Sequence, residues 1–251
     1  LPAEVAQRMH HGGFLEQAER FDNTFFGISS AEAMVMDPQQ RLLLEVGYAA
    51  LHPVRTMQSG AHGRGVGVFV GIVSGEFREA LVGRASAFAL TGVGSCFAAG
   101  RISFALGLHG AALAIDTACS SSLVACDAAT RSITSRLVAN VLVAGVNMIF
   151  TSASMSAYAT MGILSARGRS SAFDAQADGF VRGEACGASL LVGEIAPEMT
   201  RILAAGVGHH GRGASLTAPN SKAQERLLNA ALADADLVAA SVGVVEAAAN
   251  G

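Results

Sequence analysis

The order of apolar and polar positions divides the chain into alternating strand and helix segments. Asp37 suits an N-cap, Pro38 suits the first helical position, and Gln40 completes a capping-box pattern. Leu43, Leu44, Val46, Ala50 and Leu51 then recur along one face, so a helix is expected from Asp37 onward. The Gly-, His- and Arg-rich stretch 52–65 is expected to be a loop. Val66–Ile72 is unbroken apolar sequence and predicts a buried strand. Apolar runs at 111–116 and 140–146 predict two more strands, with a helix between them over 120–135. Further strands are predicted at 188–194 and 201–207, as a hairpin around Pro197, and at 242–247. A second clear helix is expected with Ser221 as its cap and Gln224 at its third position. Its stripe is Leu227, Leu228, Ala231, Leu232 and Ala235. Residues 1–35 look irregular, with Phe21, Phe25, Phe26 and Ile28 as buried anchors. Residues 73–100 are rich in Gly, Ala and Ser and predict no clear element, and 150–187 is expected to be loop-rich. Strands that are apolar throughout and alternate with helices imply parallel strands covered on both faces.

Composition narrows the function classes. Hydrophobic residues make up 51% of the 251 positions and charged residues 15%, which excludes a disordered tail or a coiled coil. The net charge is −3 and Lys222 is the only lysine, so no basic footprint for nucleic acid exists. The longest apolar stretch, 137–150, is broken by Asn140 and Asn147 and falls short of the roughly 20 residues of a membrane-spanning helix. The opening residues, Leu1 to Glu4, lack an initiator Met and read as following an upstream segment. The cysteines are Cys96, Cys119, Cys126 and Cys186, with no metal-type spacing. On one helix Cys119 and Cys126 would sit about 10.5 Å apart, beyond the roughly 7 Å a disulfide tolerates. Free thiols and a reducing compartment are therefore expected.

The sharpest chemical signal runs from Asp116 to Ser122, with Cys119 where a strand ends and a helix begins. A helix N-terminus carries about half a positive charge, which favours the reactive thiolate. Three serines follow and offer hydroxyls to unpaired helix donors. A buried structural cysteine is the competing reading. Cys96, Cys126 and Cys186 are expected as small core residues, with Cys126 on the inner helix face beside Cys119. The run from Gly206 to Gly211 has dinucleotide-type glycine spacing, but a loop rather than a helix follows it, so that role is rejected. His10, His11, His52, His62, His109, His209 and His210 read as surface residues, and spacing selects none as a general base. Asp174, Asp178, Arg182 and Glu184, set among glycines, are expected to form an internally paired loop.

With these residues in view, the chain resembles the β-ketoacyl synthase (ketosynthase) domain of modular polyketide synthases and animal-type fatty acid synthases. The matching segments include RFDNTFFGIS (20–29), MDPQQRLLLEV (36–46), GVFVG (67–71), GRISFALGL (100–108), DTACSSSLVA (116–125), AGVNM (144–148), GILSARGR (162–169), AFDAQADGFVRGEACG (172–187) and LTAPNSKAQERLLNAAL (216–232). The resemblance implies the thiolase-like layered α/β/α fold. The nucleophile half would span about 13–195 and the start of the second half 196–251. It also implies a homodimer, and substrates carried on the phosphopantetheine of an acyl carrier protein, with no cofactor bound by this chain and other synthase domains as further partners. By the same resemblance Cys119 is the acyl-accepting nucleophile, its backbone N–H is an oxyanion donor, and Thr217 lines the substrate passage.

Two departures bear on activity. The family's first catalytic histidine follows a Val-Glu-Ala strand end, and here Val245-Glu246-Ala247 is followed by Ala248. The second histidine, its lysine and the Gly-rich oxyanion segment lie downstream of Gly251 in the family, and the family's first strand lies upstream of Leu1. Replacement of the lost histidine by His209 or His210 is disfavoured, because active-site geometry tolerates little displacement. Acyl transfer onto Cys119 is therefore expected, without condensation by this chain alone. A catalytically inactive structural or docking component of a larger assembly is the alternative. The cytoplasm, or another reducing compartment such as a plastid, is the expected location.

Overall fold

The structure, a computed structural model, describes residues 1–57, 65–73, 75–81, 83, 85–194, 199–213, 215 and 218–247. The N-terminal part carries α1 (Ala3–Gln7), α2 (Ser30–Ala33) and the long α3 (Pro38–Met57). Next come β1 (Val66–Ile72), α4 (Glu76–Ala80), α5 (Ala89–Val93), α6 (Cys96–Leu106) and β2 (Ala112–Ile115). A short 3-10 turn (Ala118–Ser120) leads into α7 (Ser121–Thr134), followed by β3 (Asn140–Asn147), α8 (Ser152–Thr160), β4 (Ala185–Val192) and α9 (Ser221–Asp234).

The strands form one sheet in the order β2-β1-β3-β4. β1 runs parallel to both β2 and β3, as expected for strands joined by crossover helices. β4 pairs antiparallel with β3, so the all-parallel expectation fails at this edge. The apolar sequence of β4 carries no sign of strand direction, which its pairing with β3 sets.

Side chains alternate across the sheet and build a core on each face. Val68, Val70 and Ile72 of β1 and Leu142, Ala144 and Val146 of β3 pack with Leu43, Leu44 and Leu51 of α3 and Ala98, Ala99 and Ile102 of α6. On the other face Phe69, Val141 and Val143 pack with Ala125 and Ala129 of α7. The result is an α/β/α layering, with α3 and α6 below the sheet and α7 above it.

Several local expectations hold and several change. Asp37 precedes Pro38, and its carboxylate accepts the Gln39 N–H at 2.8 Å, which is capping geometry. Helix α3 continues to Met57, into the stretch expected as loop. Residues 73–100 contain α4, α5 and the start of α6, and α4 and α5, at 5 residues each, are too short to repeat an apolar stripe. The cap of α9 is Asn220, not Ser221, because the Asn220 side chain accepts the Ala223 N–H at 3.1 Å. Of the α9 stripe Leu228 is exposed, and Leu227 lies against Gly206 and Gly208. Residues 201–207 and 242–247 form no strand, and Pro197 lies outside the described residues. Apolar sequence makes a strand only where a neighbour completes its hydrogen bonds.

Candidate active site

Cys119 lies in the 3-10 turn between β2 and α7, and it is exposed. The buried-cysteine reading is thereby excluded. The residue before it, Ala118, has φ +56°, in the left-handed region that an alanine rarely occupies. Such strain persists only where surrounding contacts hold it.

The contacts are local and specific. Asp116 Oδ1 accepts the Ala118 N–H at 3.0 Å. Ser121 Oγ accepts the Thr117 N–H at 2.8 Å and donates to the Ala118 carbonyl at 2.7 Å. Ser120 Oγ lies 2.9 Å from both the carbonyl and the hydroxyl of Thr117. Ser120 and Ser121 thus lock the turn that presents Cys119 rather than capping α7, whose N-cap residue Ser120 makes no side-chain cap bond. Among the described residues nothing accepts the Cys119 N–H, which leaves that donor for a ligand. The thiol stands at the positive end of a 14-residue helix.

Two glycines seat this turn on the sheet. Gly71 of β1 and Gly145 of β3 are register partners on the face toward α7. A methyl group added at Gly71 would lie 2.6 Å from Ser122 N, and one at Gly145 2.8 Å from Ser122 Cβ. Only glycine lets the start of α7 approach this closely. Sequence reading missed this role, although glycines inside otherwise apolar strands signal close backbone approach.

The other cysteines differ from Cys119 and from each other. Cys186 packs against the lower core, and burial pushes its thiol up to about 12. The Cys126 thiol is raised by burial and by the Asp127 charge. Cys126 packs beneath α7 against the upper core, whereas Cys119 precedes the helix and faces solvent, so they share no inner face. Cys96, expected in the core, is exposed at the first residue of α6.

The loop's charged residues do not pair with one another as expected, and Arg182 and Glu184 find their partners in distant segments. Arg182 reaches Glu76 at 3.4 Å and Ser154 Oγ at 2.6 Å, and its guanidinium sits 4.9 Å from the Tyr158 ring centroid. Glu184 accepts the N–H groups of Leu15 and Ile149, both at 2.9 Å. Asp178 accepts the Ser165 hydroxyl at 2.7 Å and lies 3.4 Å from Arg167 Nη2, and the Asp174 carboxylate accepts the Gln176 N–H two residues on. Glu76 also takes the Phe150 and Thr151 N–H groups at 2.9 and 3.2 Å. Burial pushes the Glu76 carboxyl up, but hydrogen bonds from Ser154, Phe150 and Thr151 and the Arg182 charge together hold it below the usual range. Glu76, Arg182 and Glu184 fix the chain leaving β3.

Among the described residues no group of three or more His, Cys, Asp and Glu could hold a metal ion. His10, His11, His52, His109 and His209 are exposed. The Gly211 N–H donates to His209 Nδ1 at 2.9 Å. His210 is half-buried, and His62, Thr217 and Ala248 lie outside the described residues.

Comparison with known proteins gives one consistent answer. Residues 1–194 match the family model of the β-ketoacyl synthase N-terminal domain, and residues 199–251 match that of its C-terminal domain. The chain is 41% identical over 253 residues to a phenolphthiocerol/phthiocerol polyketide synthase of Mycobacterium tuberculosis, covering 96% of this chain and 12% of that protein. It is 39% identical to the spectinabilin polyketide synthase system protein NorA' of Streptomyces orinoci, covering 99% of this chain and 7% of that one. The Streptomyces albus JA3453 oxazolomycin ketosynthase domain superposes with a TM-score of 0.83 at 33% identity, over 96% of this chain and 44% of its own. The ketosynthase from module 6 of the bacillaene synthase of Bacillus subtilis 168 gives 0.77 at 33% identity, over 90% and 40%. The chain therefore spans less than half of the solved ketosynthase chains and a small fraction of the curated relatives.

Proposed function

The chain belongs to the β-ketoacyl synthase family, and from that premise we propose that it accepts an acyl group on Cys119 from a carrier-protein thioester in polyketide assembly. The observation that carries the reading is the exposed Cys119 in a locked, left-handed turn at the positive end of α7. The Cys119 thiolate attacks the thioester carbonyl carbon. The oxyanion that forms accepts the Cys119 N–H. Collapse forms the acyl–sulfur bond to Cys119, breaks the bond to the phosphopantetheine sulfur, and releases that thiol with the proton Cys119 gave up.

Condensation would follow in the complete reaction. A malonyl-type thioester loses CO₂, its carbanion attacks the acyl–Cys119 carbonyl, and Cys119 leaves as thiolate. Ala248 stands where the family places a histidine for the decarboxylation, and alanine has no side-chain donor for an enolate. This chain alone is therefore assigned acyl loading without carbon–carbon bond formation.

Thr217 is assigned to the substrate passage on its sequence context alone. The division near residue 195 fits the boundary between the two family models. A homodimer is proposed through the outer edge of β2, which has no strand partner among the described residues. Leu113 on β2 and Phe104 on α6, 44% and 91% exposed, supply apolar surface for it. Four free thiols suit a reducing compartment. Incubation with acyl- and malonyl-carrier thioesters tests the assignment. Acyl–enzyme without coupled product is expected, and coupled product that is lost in Cys119→Ala overturns it.

A further inference from the structure

The Ser121 hydroxyl makes both of its hydrogen bonds to the turn that precedes its own helix. The residue is 5% exposed. Its oxygen takes the Thr117 N–H at 2.8 Å and gives its proton to the Ala118 carbonyl at 2.7 Å. Those two backbone groups bracket Ala118, the residue at φ +56°. In that conformation the alanine Cβ crowds the following carbonyl, so an unrestrained alanine leaves it. Leaving it rotates the peptide between Ala118 and Cys119, and both the thiol and the N–H of Cys119 turn with that peptide. The other bond to this residue, from its N–H to Asp116 Oδ1, is exposed, and water can replace it. The Ser121 pair is partly shielded from solvent. The first turn of α7, on which Ser121 rides, is itself seated on Gly71 and Gly145.

We infer that Ser121 is a positioning residue: it clamps Ala118 in the left-handed conformation and so aims the thiol and N–H of Cys119 at one incoming acyl carbonyl. The inference rests on the reading of Cys119 as acyl acceptor. A serine that merely fills space at the start of α7 would be replaced by alanine without consequence, since only one oxygen is removed. A clamp would not. Glycine has no Cβ and occupies the left-handed region freely, so it should make the clamp dispensable at position 118.

The test compares the intact native protein, Ser121→Ala, and the double variant Ala118→Gly/Ser121→Ala. Each is treated with the acetyl thioester of N-acetylcysteamine, and acetylation of the Cys119 peptide is timed by mass spectrometry. Alkylation of exposed Cys96 by iodoacetamide serves as the internal reference. In Ser121→Ala, Cys119 should acetylate about tenfold more slowly, equivalent to about 1.4 kcal/mol, while Cys96 keeps its native rate. The double variant should return to within about threefold of native, about 0.65 kcal/mol. An unchanged rate in Ser121→Ala overturns the inference, as does equal slowing in both variants. If Ser121→Ala alone does not fold, the double variant decides by the same limits, and failure of both to fold overturns the inference. No adduct on native Cys119 defeats the acyl-acceptor reading instead.

Discussion

Gly71→Ala strikes the contact on which the Cys119 turn is seated. Ordinary packing leaves a Cβ 3.4–4 Å from its neighbours, whereas this one would lie 2.6 Å from Ser122 N, 2.7 Å from Ser121 C and 2.9 Å from Ser122 Cα. All three are backbone atoms, so no rotamer change relieves the overlap, and the start of α7 must retreat by about 0.8 Å. Neither Gly71 nor Gly145 has a positive φ, so the penalty is one of contact alone. Overpacking costs about 1–3 kcal/mol, and the rigid target puts Gly71→Ala near 3. At Gly145 the added methyl meets a side chain, Ser122 Cβ at 2.8 Å and Oγ at 3.6 Å. Gly145→Ala should therefore cost about 1–2 kcal/mol, and Ser122→Gly should relieve it but not relieve Gly71→Ala. Urea unfolding followed by circular dichroism gives the midpoint and slope for each single variant and each pair. The expected result is an unchanged slope, with a favourable coupling of about 1 kcal/mol between Gly145→Ala and Ser122→Gly. A Gly71→Ala protein within about 0.5 kcal/mol of native, or no coupling at Gly145, would refute the reasoning.

Native iodoacetamide labelling near pH 8 should modify exposed Cys96 and Cys119 but spare Cys186, whose thiol is pushed up to about 12, and Cys126, which burial and Asp127 also raise; labelling of Cys186 before unfolding contradicts this. The depressed Glu76 carboxyl stabilises the fold in full above the ordinary glutamate value of 4.5, and the contribution is lost as pH falls through the lower folded value. Glu76→Gln should accordingly show a smaller drop in Tm between about pH 6 and pH 3 than the native protein, and an equal drop counts against the hydrogen-bonded, ionised Glu76. Arg101 joins Glu32 of α2, Gln40 of α3 and the Thr91 carbonyl of α5 with little exposure. Arg101→Met should therefore lower stability by about 2–3 kcal/mol in urea unfolding, and a loss below about 0.5 kcal/mol sinks that estimate.

Elements with a strong local signal were legible from the sequence. Helix α3 shows its cap and its stripe, and β1 is an unbroken apolar run between breakers. The turn at Cys119 was legible as a strand-to-helix junction. What stayed hidden depended on partners far along the chain. The direction of β4 is set by its pairing with β3, and Arg182 and Glu184 find Glu76, Leu15 and Ile149 rather than their neighbours. Residues 201–207 and 242–247 have strand-like composition but no strand partner among the described residues. The Ser121 clamp was invisible because its two bonds depend on the left-handed φ of Ala118, which no residue type at that position announces.

The acyl-acceptor role of Cys119 is tested most directly by peptide-level mass spectrometry of the intact protein after incubation with an acyl carrier-protein thioester. The account predicts one acyl adduct, on the peptide containing Cys119, that disappears in Cys119→Ala. An unmodified Cys119, or an adduct that persists in Cys119→Ala, contradicts it.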